Sequence, residues 1–210
     1  MTGSRILRGL ITSRFEALAR EGFQGSWRSW WRVVGERIDT IGFETHASEP
    51  GQYFVELGVD FAFLNRPGDF FEKPTPPVPW AAEFRTRLKP GGVRDYGFPY
   101  GACRAEAESS FADLQSLFQS VGLDFFRRFE PLPDALRPFS PRAVTAEDMT
   151  DVPAAGGRAR TCLVFARIWD HYGDGALSRA FAIRGLKYAK QGTALEAELH
   201  RMGGKRLRFF

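Results

Sequence analysis

The chain has 210 residues, 43% of them hydrophobic and 14% aromatic, enough to build a core in one large domain or a compact domain with a helical appendage, so disorder is excluded as its default state. No apolar run approaches the ~18–20 residues that a membrane-spanning helix needs. Two cysteines, Cys103 and Cys162, are too few for a disulfide framework, and a reducing cytoplasm is the expected setting.

The formal charge of +4 is uneven: residues 1–150 carry 18 basic against 20 acidic side chains, and residues 151–210 carry 11 against 5. Residues 1–23 lack the apolar centre of a signal peptide. Instead Ile6, Leu7, Leu10, Ile11, Phe15 and Leu18 recur at helical spacing, with Ser4 able to cap the start and Gly22 able to supply a left-handed residue past the end. Ser26 to Glu36 and Arg37 to His46 are rich in Trp, Val, Ile and Phe and separated by little more than Gly35 and Glu36, which predicts a hairpin.

After a turn around Pro50 and Gly51, Gln52 to Leu64 forms the most strongly patterned run of the chain. Tyr53, Val55, Leu57, Val59, Phe61 and Phe63 alternate with Phe54, Glu56, Gly58, Asp60 and Ala62, the period of a strand with one face on a core. Residues 65–79 hold five of the thirteen prolines and read as a loop. Trp80 to Leu88 resembles a fourth strand with Arg85 and Arg87 on one side, and residues 93–103 read as a second loop.

Residues 104–121 predict an amphipathic helix carrying Ala107, Phe111, Leu114, Phe118 and Val121, terminated by Gly122. A shorter helix from Leu123 to Phe129 and a proline-interrupted connection from Pro133 to Pro153 follow. Cys162, Phe165, Ala166 and Trp169 then line one helix. Asp174 caps a second helix, and Thr193 with Glu196 makes a capping box for a third through Met202. The resulting helical hairpin resembles one tetratricopeptide-like unit, without a second copy that would make an array. Residues 203–210 read as a tail.

Trp30-Trp31-Arg32, Tyr53 to Val59, Arg85 to Leu88 and Phe125 to Phe129 stand in the order helix, W-x-R strand, hairpin, aromatic-V-x-L-G-V strand, R-x-R-L, helix. That order resembles a family of uncharacterised bacterial domains of unknown function, over roughly residues 5–190. Where members of that family tend to have a glutamine and a serine in the second strand and an asparagine before Leu-Gly, this chain has Glu44, Ser48 and Glu56. The resemblance implies no assigned activity. It links the chain to proteins proposed as partners or immunity factors of bacterial toxins.

Sequence chemistry narrows the candidates further. His46, His171 and His200 are scattered, with no C-x-x-C or H-x-x-x-H spacing, so neither a metal site nor any other cofactor is expected. There is no G-x-S-x-G, Walker-type or G-x-G-x-x-G run. Cys103 stands before a helix start beside Arg104, without a recognisable His partner, and reads as a semi-buried small residue.

The strand alternation predicts a polar sheet face bearing Arg32, Glu44, His46, Glu56, Asp60, Arg85 and Arg87, flanked by Trp30 and Phe54. Such a face holds either cross-strand ion pairs or a groove for a ligand or peptide, and paired carboxylates such as Glu56 and Asp60 leave catalysis as a third reading. The expected fold is α+β: an antiparallel sheet of about four strands covered by helices within residues 1–153, and a helical hairpin over 154–202 packed on it. The expected function is a non-enzymatic cytoplasmic protein-interaction module. A small-ligand protein or enzyme with a pocket on the polar face is the alternative. Nucleic-acid binding through the basic C-terminal part, including Arg158, Arg184 and Lys187, ranks third, since those charges are spread around helices.

Overall fold

A computed structural model describes residues 3–15, 18, 20–45, 51–64, 73–89, 97–146, 154 and 156–204. The chain divides into two compact units, Met1–Ala62 with Phe71–Arg128, and Phe63–Phe70 with Phe129–Phe210.

The first unit is an antiparallel sheet in the order β1 (Gln24–Ser26), β2 (Ser29–Val34), β3 (Arg37–Glu44), β4 (Gln52–Phe61), β5 (Phe84–Leu88), with a short β6 (Phe98–Pro99) pairing with the start of β4. The four long strands fall where the apolar alternation puts them, although β5 begins later than Trp80, because Pro79–Ala81 forms a 3-10 turn. The sheet exceeds four strands through β1 and β6, which are too short to carry a period.

Register follows from the two-residue connection at Gly35 and Glu36, where Gly35 takes φ +61 and Val34 pairs with Arg37. Each further β2–β3 pair is then fixed, and across the β3–β4 and β4–β5 pairings one face carries Phe43, Ile41, Val55, Leu57, Val59, Phe84 and Leu88, all buried. Helix α1 (Gly3–Arg14) contributes Leu7, Leu10 and Ile11 to the core of this unit. Phe15, just past the end of α1, meets Phe43, Phe111 and Phe118 edge-on at centroid distances of 6.4, 5.7 and 5.5 Å. Ser4 lies inside α1 and so does not cap it, whereas Gly22 is left-handed at φ +79 as expected.

Helix α2 (Arg104–Leu117) does not stop at Gly122. It runs through a π turn, Phe118–Gly122, straight into α3 (Leu123–Arg127), and Gly122 keeps helical angles. A Cβ at Gly122 would sit 2.7 Å from the Phe118 ring, so this glycine makes room for a buried aromatic rather than ending the helix. The wider turn also rotates Val121 out of the apolar stripe, leaving it 49% exposed.

The second unit contains α4 (Arg158–His171), α5 (Gly175–Leu186) and α6 (Ala194–Met202). Asp174 accepts a hydrogen bond from the Leu177 amide at 3.0 Å, and Thr193 one from the Glu196 amide at 3.2 Å, as their cap positions predict. Leu163, Phe165, Trp169 and Phe181 are fully buried, and the Phe165 and Phe181 rings stack at 5.0 Å. Arg167 on α4 reaches Glu198 on α6 at 3.1 Å, and Arg201 clamps the same carboxylate with bonds of 2.7 and 2.8 Å.

Candidate functional site

The face of the sheet opposite the helices carries Glu44, Phe54, Glu56, Gly58, Asp60, Arg85 and Arg87, the alternation partners of the core stripe. Its centre is covered. Residues 74–82 cross it where Gly42 and Gly58, diagonal to each other across the β3–β4 pair, carry no side chains. A Cβ on Gly42 would lie 2.9 Å from Pro79 Cγ, and one on Gly58 would meet Thr40 Oγ1 at 2.5 Å, the Ala82 methyl at 2.7 Å and Pro79 Cα at 3.0 Å. The Ser29 hydroxyl ties the same segment to β2 by donating to the Pro77 carbonyl at 3.1 Å. The proline-rich stretch therefore acts as a strap, and the polar face is not the open patch that alternation alone suggests.

At one end of the strap Lys73 bridges two buried carboxylates, with Nζ 2.6 Å from Asp60 Oδ2 and 2.9 Å from Glu83 Oε1. The other Asp60 oxygen accepts from the Phe61 amide at 2.8 Å. Burial pushes the Asp60 carboxyl above the usual carboxylate range, against the pull of Lys73. Beyond the strap Glu56 and Arg87, directly opposite on β4 and β5, pair at 3.0 Å, and the Arg87 guanidinium lies 4.7 Å over the Phe54 ring. Arg85 donates to the Trp80 carbonyl at 3.0 Å.

Arg32 and Trp30 do not belong to this face. Because Val34 pairs with Arg37, Arg32 pairs with Asp39 and Trp30 with Ile41, which places both on the helix-covered side. There Asp39 takes Arg32 Nε at 2.8 Å and Arg37 Nε at 2.7 Å, and Arg37 donates onward to the Phe126 carbonyl at 3.1 Å. Burial pushes the Asp39 carboxyl up, while the two arginines hold it down. This ionic group joins strands to α3 and is structural. His46 lies outside the described residues.

The recess that remains sits at the Glu44 end of β3. A groove of about 550 Å³ runs between the β1–β2 turn, which supplies Trp27 and Arg28, and the strap, which supplies Pro79 and Trp80, with Gly42 and Glu44 as its floor. The Phe43 amide donates to the Arg28 carbonyl at 3.1 Å and holds the turn in place. Trp27 stacks on Phe43 at 6.0 Å, while Trp80 is 58% exposed. A second, shallower recess of about 330 Å³ continues past Trp27 and Thr45 to Arg5, Arg8 and Tyr100. Of the expected site residues the structure therefore brings together Glu56 and Arg87 beside Phe54, turns Arg85 to the Trp80 carbonyl, sets Glu44 in the groove, and seals Asp60 beneath the strap.

Sequence reasoning missed Lys73, Glu83, Trp27, Arg28 and Trp80. The two strand-interior glycines were the available signal, since glycine inside a strand marks close approach by another segment. Among the described residues no group of three or more His, Cys, Asp or Glu could hold a metal ion, and no helix is long and apolar enough to cross a membrane.

A sheet with helices on one face and a proline strap on the other, leaving an aromatic-walled groove at its end, defines an α+β scaffold. The chain belongs to the family described as "Domain of unknown function (DUF4304)", which matches residues 15–128, more than half its length. The match is shorter than the span of roughly 5–190 over which the motif order resembles that family, and it ends at the last residue of the first unit. No curated protein and no solved structure matches the chain.

Proposed function

We propose that the chain is a non-enzymatic protein-interaction module whose recognition surface is the groove between Trp27 and Trp80. The observation that carries this reading is Trp80 itself, a large aromatic side chain held out from a strap whose Pro79 and Ala82 are packed against the sheet. Exposed tryptophans beside a groove are the residues that most often dominate protein recognition. The carboxylates that a catalytic reading would use are engaged within the fold, Glu56 with Arg87 and Asp60 with Lys73, which favours binding over chemistry.

The finer form of the proposal, an immunity-type partner of a toxin in a bacterial cytoplasm, rests on the family resemblance. A photo-crosslinking residue at exposed Thr45, used in the native host, tests the module reading. A specific protein adduct that disappears in Trp80→Ala supports it, and an adduct indifferent to Trp80, or none, refutes it.

A further inference from the structure

The groove and the recess beside it form one surface with a distinctive charge. Arg5 and Arg8 on the first turns of α1 and Arg28 on the β1–β2 turn are all exposed, and none of the three side chains has an ion-pair partner among the described residues. Three other arginines of the first unit are matched by carboxylates: Arg32 by Asp39, Arg37 by Asp39, Arg87 by Glu56. Three unmatched guanidinium groups thus gather around a single tryptophan, with Arg8 lying 5.7 Å over the Trp27 ring. Ser4, in the first turn of α1, lines the same recess, so the positive end of that helix adds to the field.

Resting on the module reading, we infer that the partner presents an acidic linear segment with an apolar or aromatic anchor. Its anchor side chain fills the groove between Trp27 and Trp80, and its carboxylates lie along Arg28, Arg8 and Arg5. Charge complementarity calls for an anionic occupant, and the carboxylate of an aspartate or glutamate offers the two oxygens that a guanidinium fork takes, as a phosphate also does. A nucleic-acid strand fits less well: Glu44 forms part of the groove floor and opposes a continuous line of phosphates, whereas a peptide can set an uncharged residue there.

Fluorescence anisotropy tests this with the full chain and a labelled peptide of about ten residues, glutamate-rich around one phenylalanine. The comparison probes are the same peptide with lysine in place of glutamate and single-stranded oligothymidylate. The acidic peptide alone should bind, and the double variant Arg8→Glu with Arg28→Glu, both at exposed positions, should weaken it by about tenfold or more at unchanged melting temperature. Equal binding of both peptides, tighter binding of the oligonucleotide, or indifference to the charge reversal overturns the inference. If an adduct formed at Thr45 is lost in Trp80→Ala yet survives the arginine reversal, the acidic segment is wrong and the interaction module stands.

Discussion

Lys73 places its ammonium 2.6 Å from Asp60 across the edge of the strap, with both side chains withdrawn from solvent. Since Lys73 also holds Glu83, replacing it by methionine leaves two carboxylates buried without that ammonium. Removing one partner of a buried pair typically costs ~3–5 kcal/mol, so Lys73→Met should lower stability by about that much. Asp60→Asn keeps an acceptor for the Phe61 amide and leaves Lys73 with Glu83, and should cost about 1 kcal/mol. Urea midpoints of the two variants measure the asymmetry, and equal losses would contradict it.

Gly58 is where the strap lies closest to the sheet. A methyl group there has Thr40 Oγ1 at 2.5 Å and the Pro79 backbone at 3.0 Å, so Gly58→Ala must push the strap outward. The expected loss is about 1–3 kcal/mol. It should come with faster amide exchange at Ala81 and Ala82, whose N–H groups bond within the strap. A stability loss without that local change would mean that the sheet yields instead.

The pair Glu56–Arg87 is partly exposed, and its weight should be small. A double-mutant cycle through Glu56→Gln and Arg87→Met should return a coupling of about 0.2–1 kcal/mol. A much larger coupling would mark these residues as more than a cross-strand contact.

Much of the fold can be read directly from residues. Alternation in Gln52–Phe61 and the two-residue connection at Gly35 and Glu36 specify strands and register, and with register comes the whole core face. Local capping signals at Asp174 and Thr193 are equally legible. Non-local events are not. Whether a proline-rich segment hangs free or docks depends on Gly42 and Gly58 presenting a flat surface to it, a relationship between residues far apart in sequence. Arg32 is assigned to the wrong face when its strand is read without the turn that sets its partner, and Arg37 with Asp39 conceals a charge pair within a core face. Gly122 illustrates a competing cause: its lack of a side chain serves the Phe118 ring, although glycine after an amphipathic run reads as a stop.

In the second unit, the hydrogen bonds from Arg201 and Arg167 hold the Glu198 carboxyl down at about 2, against its ordinary value of 4.5 and despite partial burial. A carboxylate lowered in the folded state contributes stability that is fully present above 4.5 and is lost as pH falls through about 2. Wild type should therefore be more stable than Glu198→Gln at neutral pH, and the gap should close over that window. Thermal melts of both proteins from pH 7 to about pH 2 measure it, and a constant gap would show that the carboxylate's charge is not what matters.

The groove between Trp27 and Trp80 is the surface proposed for recognition. Hydrogen–deuterium exchange of the chain, alone and with the protein crosslinked from Thr45, reads it most directly. Protection is expected at residues 27–29, 42–45 and 78–81, and protection confined to α4, α5 and α6 would refute recognition through the groove.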